Sequence, residues 1–373
     1  MLVESVSVRD FRNLTDTEIR LGPGINLVWG PNGAGKTNLL EAVYMGLAGT
    51  SCRTRDDRET IAFGESLSRS EVVVGPSPQA SEERRRTFLC SVSRGEGRRH
   101  LVDGAAAGPE AASLRPALAV FMPDRLALVK GPPAGRRTHL DGFSAALWPA
   151  RAEQRRRYSR ALAQRNALLG RIRAGAAGES SLDAWDAELA AAGLELIATR
   201  REAADRLAGP FADAAAALGI EAEVAAAYRP RSEASTAAEL AGELAERRAG
   251  DLARGYSGWG PHLDELALEA GGRSIRRYAS QGQQRLALLA LLFAERRVLL
   301  DDGRPAPLML LDDVTSELDL DRRRMLVEHL AAGGGQALIT ATEADHLPND
   351  RPRTEITVRS GRVLAAAGDE LAA

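Results

Sequence analysis

The sequence predicts an α/β P-loop fold whose mixed sheet is split in the chain by a long helical arm. Three observations carry this. Residues 25–29 (INLVW) form a short apolar run that feeds Gly30-Pro31-Asn32-Gly33-Ala34-Gly35-Lys36-Thr37, a full GxxxxGK[ST] match, and a helical pattern follows it. A second apolar run, residues 308–311 (LMLL), ends in the carboxylates Asp312 and Asp313. Lys36 and Asp312 stand 276 residues apart, far more than a minimal P-loop sheet needs, and Ala, Leu, Glu and Arg dominate the middle of that gap.

From the N-terminus, Leu2, Val3, Val6 and Val8 alternate as in a strand, and Gly22-Pro23-Gly24 makes a turn before the apolar run at 25–29. Residues 38–47 have helical spacing, with Leu39, Leu40, Val43 and Leu47 on one side. Residues 72–74, 87–92 and 100–102 read as strands, with a hairpin signal at Asp103-Gly104. Residues 113–252 read as largely helical, with a loop at 174–181; two antiparallel helices of ~40 residues there would reach ~60 Å. Residues 308–311 and 337–340 read as buried strands, and 356–364 as a hairpin turning at Ser360-Gly361. The expected division is 1–112 and 255–373 for the sheet-bearing head and 113–254 for the arm.

Composition excludes several classes. With 44% hydrophobic and 27% charged residues the chain reads as an ordinary globular protein rather than a disordered one. No apolar stretch suits a spanning helix, and the N-terminus lacks a secretory pattern, so a cytoplasmic protein with no membrane partner is expected. Two cysteines, Cys52 and Cys90, are too few for a disulfide framework. A net charge of −2 rules out a uniformly basic nucleic-acid coat. Of the basic residues only Lys36 and Lys130 are lysine. A point charge suits the phosphate loop at Lys36; the role of Lys130 is open.

The chemistry concentrates in three places. The Gly30–Thr37 loop offers backbone N–H groups and a helix N-terminus to phosphate, Lys36 reaches the β- and γ-phosphates of ATP, and Thr37 offers its hydroxyl to Mg²⁺. Asp312, at the carboxyl end of its strand, is placed for the same Mg²⁺, and Asp313 for an attacking water. Ser280-Gln281-Gly282-Gln283 precedes an apolar helix and forms a second phosphate cradle. One chain has no need of two, so this one is expected to face the nucleotide of a second copy, with ATP joining a homodimer. Ser316, Glu317 and Asp319 would line the same interface. Between Arg136 and Arg173 there are ten arginines and only two acids, a local surplus of eight. Arg136, Arg137, Arg151, Arg155, Arg156, Arg157 and Arg160 are therefore candidates for sequence-independent DNA contact. A solvated helix face is the plainer alternative. His262 reads as a structural histidine, and Gly255-Tyr256-Ser257-Gly258 fails the GxSxG pattern.

Phe11-Arg12-Asn13, Gly30–Ala42 (GPNGAGKTNLLEA), Cys52–Glu59 (CRTRDDRE), Ala127–Arg137 (ALVKGPPAGRR), Gln164–Leu169 (QRNALL), Gly260–Leu266 (GPHLDEL), Ala279–Arg285 (ASQGQQR) and Leu310–Asp319 (LLDDVTSELD) together resemble the RecF family of bacterial recombination-mediator ATPases. The likeness runs from about residue 3 to 346 in the family's order. It implies an ABC/SMC-type ATPase head and adds Arg12, Asn13 and Asn38 to the ATP-binding set. It also implies an ATP-dependent dimer acting on single-stranded DNA and on single-strand/double-strand junctions in replication, gap repair and SOS induction, with RecR and RecO as partners. Three positions depart from the family pattern. Leu263 stands where Arg is usual, and Cys52 where His is frequent. No histidine follows the strand at 337–340 until His346, which predicts slow, DNA-dependent turnover. An SMC-like DNA tether with vestigial hydrolysis and an ABC-transporter ATPase subunit are the other readings. The transporter would normally carry the missing histidine and a much shorter gap between the two motifs.

Overall fold

The computed structural model describes residues 1–76, 84–108, 111, 114–332, 334–348 and 351–364. Packing divides the chain into one unit of 1–126, 217–219 and 299–373 and another of 127–216 and 220–298.

The first unit holds two six-stranded sheets. Its elements up to residue 126 are β1 (Leu2–Arg9), β2 (Thr17–Arg20), β3 (Ile25–Trp29), α1 (Lys36–Ala48), β4 (Leu67–Gly75), β5 (Arg86–Ser93), β6 (Gly97–Val102), β7 (Ala105–Ala106) and β8 (Leu118–Phe121). The second unit contributes α2 (Ala127–Lys130), α3 (Pro133–Leu147), α4 (Ala152–Arg173), α5 (Leu182–Ala217), β9 (Val224–Arg229), α6 (Ala237–Glu246), α7 (Arg248–Arg254), β10 (Glu265–Ala270), β11 (Arg273–Ser274), α8 (Ile275–Tyr278) and α9 (Gln281–Asp301). The chain then completes the first unit with β12 (Leu308–Leu311), α10 (Leu320–Ala331), β13 (Ala337–Ala341), β14 (Arg353–Arg359) and β15 (Arg362–Leu364).

One sheet of the first unit is antiparallel, in the order β2-β1-β4-β5-β6-β7. The other runs β15-β14-β3-β13-β12-β8, parallel except for the β14–β15 hairpin. Its central strands β3, β12 and β13 are buried almost along their whole length and mostly apolar, as strands covered on both faces are. Helix α1 packs against β4, β5 and β13, so one apolar core joins the helix to both sheets. Among the described residues no helix is long and apolar enough to cross a membrane.

In the second unit, Thr236 and Glu239 close a reciprocal cap on α6, and α4 and α5 are joined through residues 174–181. Helix α4 has 22 residues and α5 has 36, so the stretch the two can share is about 33 Å rather than ~60 Å. What ties α4 and α5 to α7 is a fully buried guanidinium. Arg165 donates to Asp186 (2.6 Å), Asp251 (2.7 Å) and Ser257 (2.7 Å).

The structure moves both expected boundaries. The boundary after residue 112 itself falls outside the described residues, but β8 pairs in parallel with β12 and so belongs to the first sheet. At the other end, β10 pairs with β9, so β10 and β11 complete a three-stranded sheet of the second unit. Strands β8 and β9 lie inside the stretch read as helical. Residues 118–121 (LAVF) are too short and uniformly apolar for periodicity to separate strand from buried helix. Residues 224–229 (VAAAYR) are alanine-rich, and pairing overrides local preference there.

Candidate nucleotide site

Strand β3 ends at Trp29, and Gly30 begins the loop at φ 152°. A Cβ on Gly30 would stand 2.0 Å from the carbonyl oxygen of Val358. Only glycine lets the loop leave the sheet that close to β14. Lys36 is 8% exposed and donates to the carbonyls of Gly30 (2.7 Å) and Pro31 (2.9 Å), drawing the loop into a ring. Burial pulls its ammonium below the ordinary lysine range, while the Asp313 and Asp312 carboxylates pull back.

The Thr37 hydroxyl donates to both carboxylate oxygens of Asp312, each at 2.9 Å. Thr340, near the end of β13, donates to Asp312 Oδ1 (2.8 Å) and accepts from the backbone N–H of Asp313 (2.8 Å). Burial pushes the Asp312 carboxyl up, and the Thr340 and Thr37 hydrogen bonds hold it back. Asp313 sits at φ 50°, and Ser316 donates to its Oδ2 at 3.0 Å, leaving the carboxylate exposed. The hydroxyl of Thr37 and the carboxylate of Asp312 are hard oxygen donors already within hydrogen-bond distance of each other. They fit a Mg²⁺ ion, which takes few protein ligands beside substrate phosphates.

Asn13 sits on the rim of the loop. Its side chain donates to the Gly33 carbonyl (3.0 Å) and accepts from Asn38 (2.7 Å). Arg12 is turned elsewhere: its guanidinium forks onto Glu41 at 2.6 and 2.9 Å. Glu41, wholly buried on α1, also takes Ser51 (2.6 Å) and Arg53 (3.0 Å). The β14–β15 turn braces the loop from behind. Gly361 donates to the Ala34 carbonyl (2.8 Å) and accepts from the Thr15 N–H (2.9 Å), and a Cβ there would stand 2.0 Å from the Asn13 carbonyl oxygen. Thr340, Glu41 and Gly361 were not expected from the motifs. The strand register, which pairs Thr340 with Val28, is what delivers Thr340 to the loop.

In the second unit Ser280, Gln281, Gly282 and Gln283 are all exposed at the start of α9. Ser280 and Gln283 cap each other reciprocally, at 3.2 and 2.9 Å, and buried Gln284 anchors the turn by donating to the Ala279 carbonyl (3.0 Å). In the first unit Ser316 is exposed, and Asp319 caps α10 by accepting from Arg322 N–H (2.9 Å). The Glu317 side chain lies outside the described residues. No histidine stands on β13; His346 instead meets Thr342 at 3.1 Å.

Folding pairs most of the basic surplus counted along α3 and α4, while Arg171 and Arg173 at the end of α4 are exposed with no ion pair among the described residues. Arg136 is 4% exposed, bound to Glu265 (2.7 and 3.0 Å) and to the carbonyls that end α2. Arg137 donates to the Asp264 carbonyl. Arg151 pairs with Glu202, Arg155 with Asp141, Arg156 and Arg160 with Glu153, and Arg157 with Glu188 and Glu195. Most of these carboxylates lie outside residues 136–173, so a count along that stretch misses them. His262 is structural. It meets the Tyr158 hydroxyl (2.7 Å) and the Ser257 carbonyl (3.0 Å), and burial pulls its pKa down.

Residues 2–363 match the family model described as the RecF/RecN/SMC N terminal domain. The DNA replication and repair protein RecF of Anaeromyxobacter sp. (strain Fw109-5) is 39% identical, over 92% of this chain and 93% of its own. The RecF of Deinococcus radiodurans is 36% identical, over 100% and 98%. The chain belongs to the RecF family. A solved structure of the recombination mediator RecF with ATP, from the RecFOR pathway, superposes with a TM-score of 0.84 at 25% identity, covering 98% of both chains. An Smc head bound to the C-terminal winged-helix domain of ScpA superposes at 0.61 with 14% identity and shares the fold alone. The fold is thus that of RecF and SMC heads, a family of ATP-binding ATPases.

Proposed function

We propose that this RecF-family chain binds ATP at Gly30–Thr37, dimerises on it, binds DNA without reading sequence at single strands and junctions, and hydrolyses ATP slowly to let go. The observation that carries this reading is the carboxylate shelf beside the phosphate loop. Asp312 is buried and held by Thr37 and Thr340, and Asp313 is exposed next to it. Thr37 and Asp312 would hold Mg²⁺, which when bound neutralises charge on the phosphates. Asp313 accepts a hydrogen bond from the attacking water. The water oxygen bonds to the γ-phosphorus as the bridging P–O bond breaks, and Lys36 balances the departing charge. Ser280 and Gly282 of a second copy would close the site over the γ-phosphate, which accounts for a capped but exposed turn. With no imidazole on β13 to meet that phosphate, turnover is slow. By family, RecR and RecO are the partners, in cytoplasmic gap repair, fork maintenance and SOS induction.

Light scattering with and without Mg-ATP, on wild type and Ser280→Arg, tests the dimer. The expected result is a doubled mass only in wild type with ATP; a monomer under every condition removes the mechanism. Asp313→Ala should trap the ATP-bound dimer on DNA. If release is unchanged, the chain is a tether and hydrolysis is idle.

A further inference from the structure

Of the ten arginines between 136 and 173, all but Arg137, Arg171 and Arg173 pair with carboxylates among the described residues, so most of that stretch's positive charge is already matched. A denser group of unpaired cations in the second unit lies on β11 and α8. Arg273, Arg276 and Arg277 are exposed, and the Tyr278 ring beside them is 68% exposed. Among the described residues no carboxylate pairs with any of the three. The carboxylates of the adjoining β10 are already taken: Glu265 holds Arg136 and Glu269 holds Arg229. Helix α2 packs against α8 and brings Lys130, also without an ion-pair partner, to the same neighbourhood. Below this face, Ile275 is buried and Gln284 ties the backbone of Ile275 and Ala279 to α9, so the patch is held by its own core.

We propose that α8, with Lys130 and Arg273, is a binding surface for single-stranded nucleic acid, with the cations on successive phosphates and Tyr278 stacking on an unpaired base. This rests on the DNA-binding reading above and gives it a location. An extended strand suits the patch better than one nucleotide does. The cations spread over three elements, and the nucleotide already has Lys36.

The test is anisotropy of the full chain on a labelled single-stranded oligonucleotide and on a blunt duplex, across a salt series. Arg276→Ala with Arg277→Ala should flatten the single-strand log–log salt slope by about 1.4, at ~0.7 per phosphate. The paired arm arginines, as Arg157→Ala with Arg160→Ala, should change it less. Tyr278→Ala should weaken single-strand binding roughly 5- to 100-fold and spare duplex binding, with Tyr278→Phe restoring it. Wild type that binds while the α8 variants match it in slope and affinity overturns this site and leaves the DNA reading standing. Wild type that binds no DNA overturns both. Variants that bind DNA normally but lose the ATP-driven change in mass assign α8 to the nucleotide and overturn the proposal.

Discussion

At the scale of single residues the site hangs on Thr340. Its hydroxyl donates to Asp312 and accepts from Asp313 N–H, so one side chain holds the Asp312 carboxylate and the Asp313 backbone together. Thr340→Val keeps the shape and removes both bonds. ATP hydrolysis should fall about 10- to 100-fold, the usual cost of losing a second-layer partner, with ATP binding retained by filter assay. Thr340→Ser should recover most of it. A second residue-scale prediction concerns acid. His262 is held neutral, donating to one oxygen and accepting from another, and its pKa lies below the ordinary 6.5. The unfolded chain therefore takes up its proton first, and stability falls as pH drops below about 6.5. Denaturant midpoints measured between pH 7.5 and 5.5 should decline in wild type and decline less in His262→Gln. Lys36, Thr37, Asp312 and Asp313 were legible in the sequence because their motifs are contiguous. Thr340 and Glu41 were not, since their roles come from strand register and from a helix face turned inward.

Among the elements, the β14–β15 turn is the unexpected support of the phosphate loop. Gly361→Ala would drive a Cβ into the Asn13 carbonyl at a φ of 78°. It should cost more than about 2 kcal/mol of stability and weaken ATP binding, read by melting with and without nucleotide, although it lies 324 residues after Thr37. Within the second unit, Arg165→Met leaves Asp186 and Asp251 buried without their shared cation and should cost about 3–5 kcal/mol by chemical denaturation. Strands with clear apolar runs, at 25–29, 308–311 and 337–340, could be read directly, as could the hairpin at the C-terminal side. Strands β8 and β9 could not: LAVF lacks the carboxylate pair that marks the end of 308–311, and three alanines in a row carry no period. The arginines of α4 misled for a related reason. Charge read along one helix ignores the carboxylates of the helix packed beside it.

For the whole molecule, the prediction is a slow switch rather than a fast engine. Steady-state ATP hydrolysis on saturating DNA should give a kcat below ~10 s⁻¹; a faster rate would refute the link between the missing histidine and slow turnover. The parallel sheet also fixes when, during synthesis, the nucleotide site can assemble. Strand β3 lies between β13 and β14, and β12 meets β8 only across the whole of the second unit. A nascent chain emerging from the ribosome carries the phosphate loop early, but its β3 has no neighbour until residue 337 and no brace until residue 361 have been translated. Nucleotide cannot be captured before then, so a nonsense codon anywhere short of β15 should yield a product without ATP binding, however much of the chain precedes it.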